Sequence, residues 1–413
     1  MIHFRPNTGG LRQPGVRFRH LPSGRLLDSI WSALREGGMW RMADFEVHEA
    51  NTLAGAGDRT AWRSIFADWF PIADGQAWSP ENHQAIDAVH VPSTSEPARL
   101  ADFLDAARAF FTRFEGRKIG VQLSGGFDSS LIIGLLRHFG IKHGLVGMIS
   151  DRYEFRTERF IQEYLASQNC EVELIDEHTC LPCSRLDEVP PHQLPDLLSL
   201  DYAQDRAMAA ACKRLGIEVL LSGGGGDNLL GQEVPLDARA CIWRPQTFTD
   251  LFPVDFAYQP LGIEFLSFFS DAGIVDVLYR LRRGQADDFR KLWARQFFQQ
   301  FVPRELVDYH YCADFWGRSI DGLSLALDEI RRLHREALSH TGNPYFAEHR
   351  LELLIAEDIY RPRKELYQRI EARCSSAVWV CSLAKWLDMP DTSLVYSKAS
   401  ANPKHKTATP ALR

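Results

Sequence analysis

The sequence VQLSGGFDSS at residues 121–130 decides the fold expected for this chain. An apolar run meets two glycines and is followed at once by a helical spacing of leucines, which predicts a strand, a tight loop and the start of a helix. Such a loop directs backbone N–H groups and the positive end of the helix dipole at one point, where phosphate binds. Ser124, Ser129 and Ser130 add hydroxyl donors, and Asp128 can hold a magnesium ion against the phosphates.

A second glycine-rich sequence, SGGGGDN, occupies residues 222–228 and follows the short β-type run 217–221. Four successive glycines cost backbone entropy, so we expect the backbone here to approach another group closely. Asp227 follows the glycines directly and is a candidate second metal ligand. The GxxxxGK[ST] loop, which binds phosphate in a different class of proteins, is absent because no lysine follows the glycines of either sequence.

SGGxDSS resembles the pyrophosphate-binding loop of ATP pyrophosphatases, and its combination with a later strand and SGxGxD resembles the synthetase domain of the asparagine synthetase family. That family also includes β-lactam synthetases and lasso peptide cyclases. The resemblance implies ATP and Mg²⁺ as cofactors, an adenine nucleotide alpha-hydrolase-like fold, and a carboxylate activated as an acyl-adenylate that an amine attacks. It covers roughly residues 96–320 and weakens towards residue 396.

The resemblance also implies site residues. Met148 is the candidate to line the adenine, although a methionine at a strand end is equally typical of a hydrophobic core. Glu158 is either a ligand at the pyrophosphate and ribose end of the ATP site or an ordinary acidic residue at a helix N-terminus. Asp128 and Asp227 are the implied metal ligands. The implied ATP contacts are Leu123, Ser124, Gly125, Gly126, Asp128, Ser129, Ser130, Met148, Glu158, Ser222 and Gly223.

A third segment, residues 284–303, places Lys291 four residues before Arg295 and ends in Val-Pro. Relatives show a lysine and an arginine at this spacing on a helix, in a segment that ends in Leu-Pro. The resemblance implies that Lys291 and Arg295 are catalytic and that Lys291 stabilises the negative charge that develops during acyl transfer. The alternative is a solvated face of a surface helix. Just upstream, SFFSD at residues 267–271 resembles the SPFxD segment of the family.

Other positions depart from the family. Gly224 stands where the glutamine-dependent enzymes carry a glutamate, and Asn228 replaces a second acid, so amide formation with the usual base is in doubt. Ile2 stands where a glutaminase domain has its nucleophilic cysteine, and the first cysteine of the chain is Cys170. We therefore expect no ammonia from glutamine by that route.

Strands and helices alternate between residues 118 and 221, which predicts an α/β fold with a parallel sheet and helices on both faces. In such sheets ligands bind beyond the carboxyl ends of the strands, so both glycine sequences can meet on one ATP. The predicted strands are 118–123, 144–149, 171–175 and 217–221, and the predicted helices are 129–139, 156–167 and about 197–215.

Three regions follow from these patterns. Residues 1–95 form an N-terminal region that is too short for an intact glutaminase, with one candidate helix at 26–34. Residues 96–396 form the synthetase domain, whose first helix is expected to begin near Ser95 and Pro97 and whose part from 260 to 387 is expected to be mainly helical. Residues 397–413 are polar, basic and free of acids, which predicts a disordered tail.

Composition excludes some classes of function. A net charge of −7 gives no general basic field for nucleic acid, and no apolar run approaches the length needed to span a membrane. The first residues lack the layout of a signal peptide, and eight cysteines in 413 residues are ordinary for a reducing cytoplasm. Cys180 and Cys183 form a CxxC pair with His178 and His192 nearby, which is compatible with a metal site, a redox pair or ordinary thiols in a loop.

The sequence thus predicts a cytoplasmic, ATP-dependent and AMP-forming ligase. It would join a small-molecule or peptide carboxylate to an amine, or to ammonia that a partner protein can supply, in the tailoring of a specialised metabolite or peptide. The alternatives are a non-catalytic nucleotide-binding protein of the same family, primary asparagine synthesis with external ammonia, and tRNA modification or sulfur transfer through the CxxC pair.

Overall fold

The computed structural model describes residues 96–169, 171–190, 200–231, 254–282, 291–308 and 316–341, together with short strands before residue 91 and at 241–242. These residues fall into two compact units, one within 87–185 and 201–322 and the other within 1–86, 186–200 and 323–413. The predicted domain boundaries near residues 95 and 396, and the predicted tail, lie outside the described residues.

Short strands make up what is described of the N-terminal region. Strands β1, β2 and β3 form a small antiparallel sheet in the order β2-β1-β3, and β4 pairs with β5. The helix predicted at 26–34 is wrong at its start, because Leu26–Leu27 pairs with β1, and its remaining residues lie outside the described part. The strands are β1 Val16–His20, β2 Leu26–Leu27, β3 Trp69–Ala73, β4 Gln76–Ser79, β5 Gln84–Asp87 and β6 Val89–His90.

A five-stranded parallel sheet forms the centre of the larger unit, with the strand order β12-β10-β7-β8-β9. Its central strands β7 and β10 are almost fully buried, as expected of a parallel sheet covered on both faces. The strands are β7 Ile119–Gln122, β8 His143–Ile149, β9 Val172–Asp176, β10 Val219–Ser222 and β12 Glu264–Ser267, and a short β11 at Cys241–Ile242 pairs with β6. The predicted α/β fold is therefore confirmed.

Ten α-helices are described, each within a few residues of its sequence pattern where one was predicted. They are α1 Leu100–Thr112, α2 Phe127–His138, α3 Arg156–Ser167, α4 Tyr202–Arg214, α5 Gly226–Leu230, α6 Ala272–Arg282, α7 Leu292–Phe297, α8 Arg304–Asp308, α9 Trp316–Leu325 and α10 Leu327–Thr341. Helix α1 begins later than predicted because Asp102 accepts a hydrogen bond of 2.6 Å from the backbone N–H of Arg99, which fixes Arg99 as its N-cap.

Helices cover both faces of the sheet. Successive residues of a strand point to opposite faces, and in β10 Val219 and Leu221 enter one buried cluster whereas Leu220 enters another. The first cluster contains side chains of α1, α2, α3 and α6, and the second contains side chains of α4. No described helix is both long and apolar enough to cross a membrane.

One strand lies where helices were predicted. Strand β12 is only four residues long and extends the sheet by pairing with β10, from Val219 opposite Glu264 to Ser222 opposite Ser267. A short apolar run cannot be assigned to strand or helix by its periodicity, so only the exposed edge of β10 decides the outcome. The following Phe268 is fully buried and stacks on Phe111 of α1 with ring centroids 5.6 Å apart, which anchors this edge of the sheet to the core.

Candidate functional site

The first glycine loop is ordered by its own hydroxyl groups. The Ser124 hydroxyl lies 2.9 Å from that of Ser129 and accepts a hydrogen bond of 3.2 Å from the backbone N–H of Gly126. Ser130 donates a hydrogen bond of 2.8 Å to the Gly126 carbonyl in the first turn of α2. Strand β7, this loop and the start of α2 therefore follow one another as the sequence predicts.

Gly125 allows α3 to approach the loop. Its backbone has a φ of +79°, and a Cβ atom there would lie 2.3 Å from the carbonyl oxygen of Glu158. Any side chain at this position would both strain the backbone and displace α3. Glu158 is buried in the first turn of α3, so this contact places its carboxylate at the rim of the loop.

The second glycine sequence packs directly against the first. A Cβ atom on Gly226 would lie 2.4 Å from the carboxyl carbon of Asp128, and one on Gly223 would lie 3.0 Å from its Cβ. Gly225 has a φ of +80° and is the N-cap of α5. The backbone of the second glycine sequence therefore approaches Asp128 of the first loop closely, as the four glycines predict.

Gly224 differs from its neighbours. A Cβ atom there would meet only the Ser222 hydroxyl, at 3.4 Å, and its φ lies outside the left-handed region. Packing around the Cβ position therefore does not require a glycine here.

Lys291 joins the two loops. Its ammonium lies 2.7 and 2.6 Å from the two carboxylate oxygens of Asp128 and 2.6 Å from an oxygen of Asp227. Lys291 is 5% exposed, whereas the Asp227 side chain is 73% exposed. Two carboxylates and one ammonium, from three separate segments, meet at the carboxyl ends of β7 and β10.

The charges at this point are strongly coupled. Burial raises the pKa of Asp128, and Lys291 and Arg295 only partly oppose that rise. Burial would lower the pKa of Lys291, but Asp128 and Asp227 together raise it, so the lysine stays protonated. The carboxylates of Asp128 and Asp227 therefore already bind a cation, which is the ammonium of Lys291.

The Lys291 and Arg295 segment is not a solvated helix face. Lys291 is the N-cap of α7 with a φ of +56°, so it lies just outside the helix predicted to carry it. Arg295 is also buried, donates a hydrogen bond to the Leu306 carbonyl and lies over the Phe127 ring at 5.4 Å. Both side chains line the cleft between the glycine loops.

Met148 and Leu123 line the next part of the cleft. The Gln162 side chain of α3 donates hydrogen bonds of 2.9 Å to the Leu123 carbonyl and 2.7 Å to the Met148 carbonyl, which holds the ends of β7 and β8 together. Cys180 packs against Met148 with its sulfur 3.6 Å from the methionine sulfur. These contacts form a less polar wall beside the phosphate loop.

The cleft has a volume of about 530 Å³. It brings together all but two of the predicted contacts, since Gly125 and Ser130 support the loop from behind. The predicted residues that line it are Leu123, Ser124, Gly126, Asp128, Ser129, Met148, Glu158, Ser222, Gly223, Asp227, Lys291 and Arg295.

Asp128 and Asp227 fit a divalent metal. Their oxygens converge on one point, and Mg²⁺ in nucleotide sites is bound by one or two carboxylates together with phosphate oxygens and water. The described residues contain no group of three or more side chains that could hold a metal by themselves.

The CxxC pair is buried. Cys180 and Cys183 form no disulfide, and His178 pairs with Asp151 at 3.0 Å on the surface. His192 lies outside the described residues. Among the described residues, the pair therefore has the character of loop thiols, one of which supports Met148.

Sequence reasoning missed an ionic network at the other end of the cleft. Glu177, which follows β9, accepts hydrogen bonds of 2.5 Å from Ser150 and 2.7 Å from Arg152, and pairs with Arg318 at 3.3 Å. Arg318 also donates to the side chain of Gln204. Each of these residues is unremarkable in the sequence, since no motif surrounds it.

Comparison with known proteins finds a family model that matches the central part of the chain. The family model of asparagine synthase matches residues 106–301, which carry both glycine sequences and Lys291. The match supports the predicted resemblance to the synthetase domain of the asparagine synthetase family. Among solved structures, the chain is similar to NMN synthetase from Francisella tularensis, at 13% identity and a TM-score of 0.30 over 52% of this chain and 74% of that one. No curated protein sequence matches the chain significantly.

Proposed function

We propose that this chain, whose residues 106–301 form a synthetase domain of the asparagine synthetase family, is an ATP-dependent ligase that forms AMP and an amide. The observation that carries the proposal is the convergence of Asp128, Asp227 and Lys291 between two glycine loops at the carboxyl edge of a parallel sheet. Ligands of such sheets bind at this edge. Burying Lys291 against Asp128 costs desolvation energy, and ionisable groups held in this way in a cleft are typical of a functional site.

The first step is adenylation. The loop at 124–126 and the start of α2 bind phosphate oxygens through backbone N–H groups and hydroxyls. Asp128 and Asp227 would hold Mg²⁺, which would neutralise phosphate charge when bound. A carboxylate oxygen of the substrate attacks the α-phosphorus of ATP. The bond from that phosphorus to the bridging oxygen breaks, and pyrophosphate leaves.

The second step is acyl transfer. An amine attacks the acyl carbon, the bond from that carbon to the AMP oxygen breaks, and the amine gives up a proton to solvent. Negative charge grows on the acyl oxygen and on the departing phosphate. Lys291 is a buried cation of the cleft that lies against both carboxylates, so its ammonium would stabilise that charge.

The attacking amine belongs to a substrate molecule, and it is not ammonia that an active-site carboxylate activates. Gly224 leaves no carboxylate where the glutamine-dependent enzymes keep one, although the backbone would accept a side chain there. This favours tailoring of a specialised metabolite or peptide over primary asparagine synthesis. Cys180, Cys183 and Cys212 form no disulfide, which is in keeping with the proposed cytoplasmic setting.

A non-catalytic descendant is the weaker alternative. An unused buried lysine with two carboxylates costs desolvation energy that apolar residues of similar volume would avoid. A site that had lost its activity would be expected to lose the lysine and the two carboxylates, and this chain keeps all three.

ATP–pyrophosphate exchange with Mg²⁺ and a panel of carboxylic acids tests the proposal. We expect exchange that depends on one class of acid, with AMP and pyrophosphate as products, and its loss in Asp128→Asn. Asp308→Asn, which changes a 77% exposed acid, is the matched control and should behave as wild type. Formation of ADP and phosphate, or no acid-dependent exchange across the panel, would refute the proposed reaction.

A further inference from the structure

Gln162 is a buried polar residue of the cleft that the proposed reaction does not use. It belongs to α3, is 3% exposed and lines the cleft together with Leu123 and Met148. Leu123 directly precedes the phosphate loop, and Met148 lies near the end of the neighbouring strand β8. Neighbouring strands lie about 5 Å apart, so Gln162 reaches the cleft within one strand of the loop.

Both protons of the Gln162 amide nitrogen are engaged. Its Nε2 donates hydrogen bonds of 2.9 Å to the Leu123 carbonyl and 2.7 Å to the Met148 carbonyl. An amide nitrogen carries two protons, so these two bonds use its full donor capacity. They also fix which way the amide faces, because the opposite orientation would lose both bonds and place Oε1 against two carbonyl oxygens.

The Oε1 atom of Gln162 is the remaining polar atom of this amide. No described residue donates a hydrogen bond to it. A buried acceptor that lacks a donor costs free energy, so a ligand that supplies the donor gains from binding here. Since Gln162 lines the cleft and its amide cannot turn, it offers a bound molecule an acceptor and never a donor.

The side chains around Gln162 suit a flat, largely apolar ring. Leu123, Met148 and Met208 line the cleft, and Met148 packs on the buried cluster that contains Met208. Methionine adapts its shape to its neighbours and makes favourable contacts with aromatic rings. A nucleotide whose phosphates bind at the loop that follows Leu123 can therefore place its base against this wall, with the polar edge of the base towards Gln162.

We propose that Gln162 sets the base specificity of the nucleotide site, because its Oε1 accepts a hydrogen bond from the exocyclic amine of adenine. This role of Gln162 rests on the proposed function for the binding of a nucleoside triphosphate. Inosine and guanosine nucleotides carry a carbonyl oxygen where adenine carries the amine, so two acceptors would face each other. Turning the amide would break its hydrogen bonds to Leu123 and Met148. The site therefore takes ATP and rejects ITP and GTP.

Calorimetric titration of the full chain with three nucleotides in the presence of Mg²⁺ tests the proposal. The nucleotides are ATP, ITP, which has a carbonyl in place of the amine, and purine riboside triphosphate, which has neither group. In wild type we expect ATP to bind tighter than ITP by a factor on the order of 10 to 100, the range for leaving a buried acceptor without a donor. Purine riboside triphosphate should lie between the two.

Gln162→Met keeps the length of the side chain and removes its acceptor and its donors. We expect the affinity for ATP to fall and the ratio of ATP to ITP affinity to approach 1. A merely structural role, in which the amide only holds the two strand ends together, would weaken both nucleotides equally and keep the wild-type ratio. Gln168→Met, which changes an exposed glutamine at the C-cap of α3 outside the cleft lining, is the matched control and should also keep that ratio.

The outcomes separate the alternatives. Equal affinity of wild type for ATP and ITP, or for ATP and purine riboside triphosphate, overturns the role of Gln162. A preference for ATP that survives in Gln162→Met assigns the recognition to the backbone of the wall and overturns it as well. Gln162→Leu, judged by the same ratio, replaces Gln162→Met if that variant does not fold. Failure to bind any of the three nucleotides refutes the nucleotide site of the proposed function itself, whereas binding without a base preference overturns the base specificity alone.

Discussion

Replacement of Lys291 by methionine removes one charge and leaves the apolar stem of the side chain. In the metal-free protein the ammonium is the cation that lies within 2.7 Å of both Asp128 and Asp227. Breaking a buried pair by removing one partner costs about 3 to 5 kcal/mol. The loss of unfolding free energy in this protein should fall near or below the lower end of that range, because Asp227 is mostly exposed. Burial also raises the pKa of Asp128, so this carboxylate can take up a proton when the lysine is removed.

We therefore expect Lys291→Met to lower the free energy of unfolding by about 2 to 3 kcal/mol in the absence of metal. For a unit of this size that corresponds to a Tm lower by roughly 4 to 12 °C. Calorimetry or circular dichroism on heating measures it. Arg304→Met, which removes a 92% exposed cation from the same unit, is the control and should be neutral.

Added Mg²⁺ gives the sharper test. In wild type the metal must displace the ammonium from Asp128 and Asp227, whereas in Lys291→Met the carboxylates are already vacant. Mg²⁺ alone should hence stabilise the variant more than wild type, while product formation in the variant falls by a factor on the order of 10² to 10³. Equal stabilisation of both proteins by Mg²⁺, or an unchanged Tm of the metal-free variant, would refute the assignment of the two aspartates to one shared cation position.

Three further predictions use the same geometry. Gly226→Ala should lose roughly 1 to 3 kcal/mol of unfolding free energy by forcing Asp128 aside, whereas Gly224→Ala should stay within about 0.5 kcal/mol of wild type, and chemical denaturation compares them. Asp227→Ala should abolish acid-dependent pyrophosphate release and leave the fold intact, because its carboxylate is exposed; turnover at the wild-type rate would exclude it as a metal ligand. Burial raises the pKa of Asp201, the residue before α4, to about 6, which is above its unfolded value, so its contribution to stability is present at low pH and is lost as pH rises towards 6; the stability difference between wild type and Asp201→Asn, measured by chemical denaturation, should shift by about 2 kcal/mol between pH 4 and 7.

Local signals account for what the sequence predicts well. Apolar runs followed by glycine mark the ends of β7 and β10, and these ends must lie at one edge of a parallel sheet. The position of Asp128 and Asp227 follows from that rule. Strand β12 does not, because its four residues have no distinguishing period and form a strand only against the open edge of β10.

Other features depend on long-range packing that a sequence does not display. Lys291 was expected within a helix, but it is the residue before α7 and adopts a left-handed backbone that points its ammonium at Asp128. Glu177 and Arg318 are distant in sequence and meet only because α9 packs closely on the loop that contains Pro182. A lone acid or arginine carries no pattern, so neither could be singled out before the fold was known.

The carboxylates at the two ends of the cleft are neutralised by different kinds of side chain. At the glycine loops an excess of carboxylate is neutralised internally by Lys291, a flexible side chain that a metal can displace. At the β9 end Glu177 accepts hydrogen bonds from Ser150 and Arg152 and pairs with Arg318, so arginine side chains neutralise its charge. A ligand that brings phosphates and a metal would therefore act at the first end, where the internal cation is a single flexible ammonium.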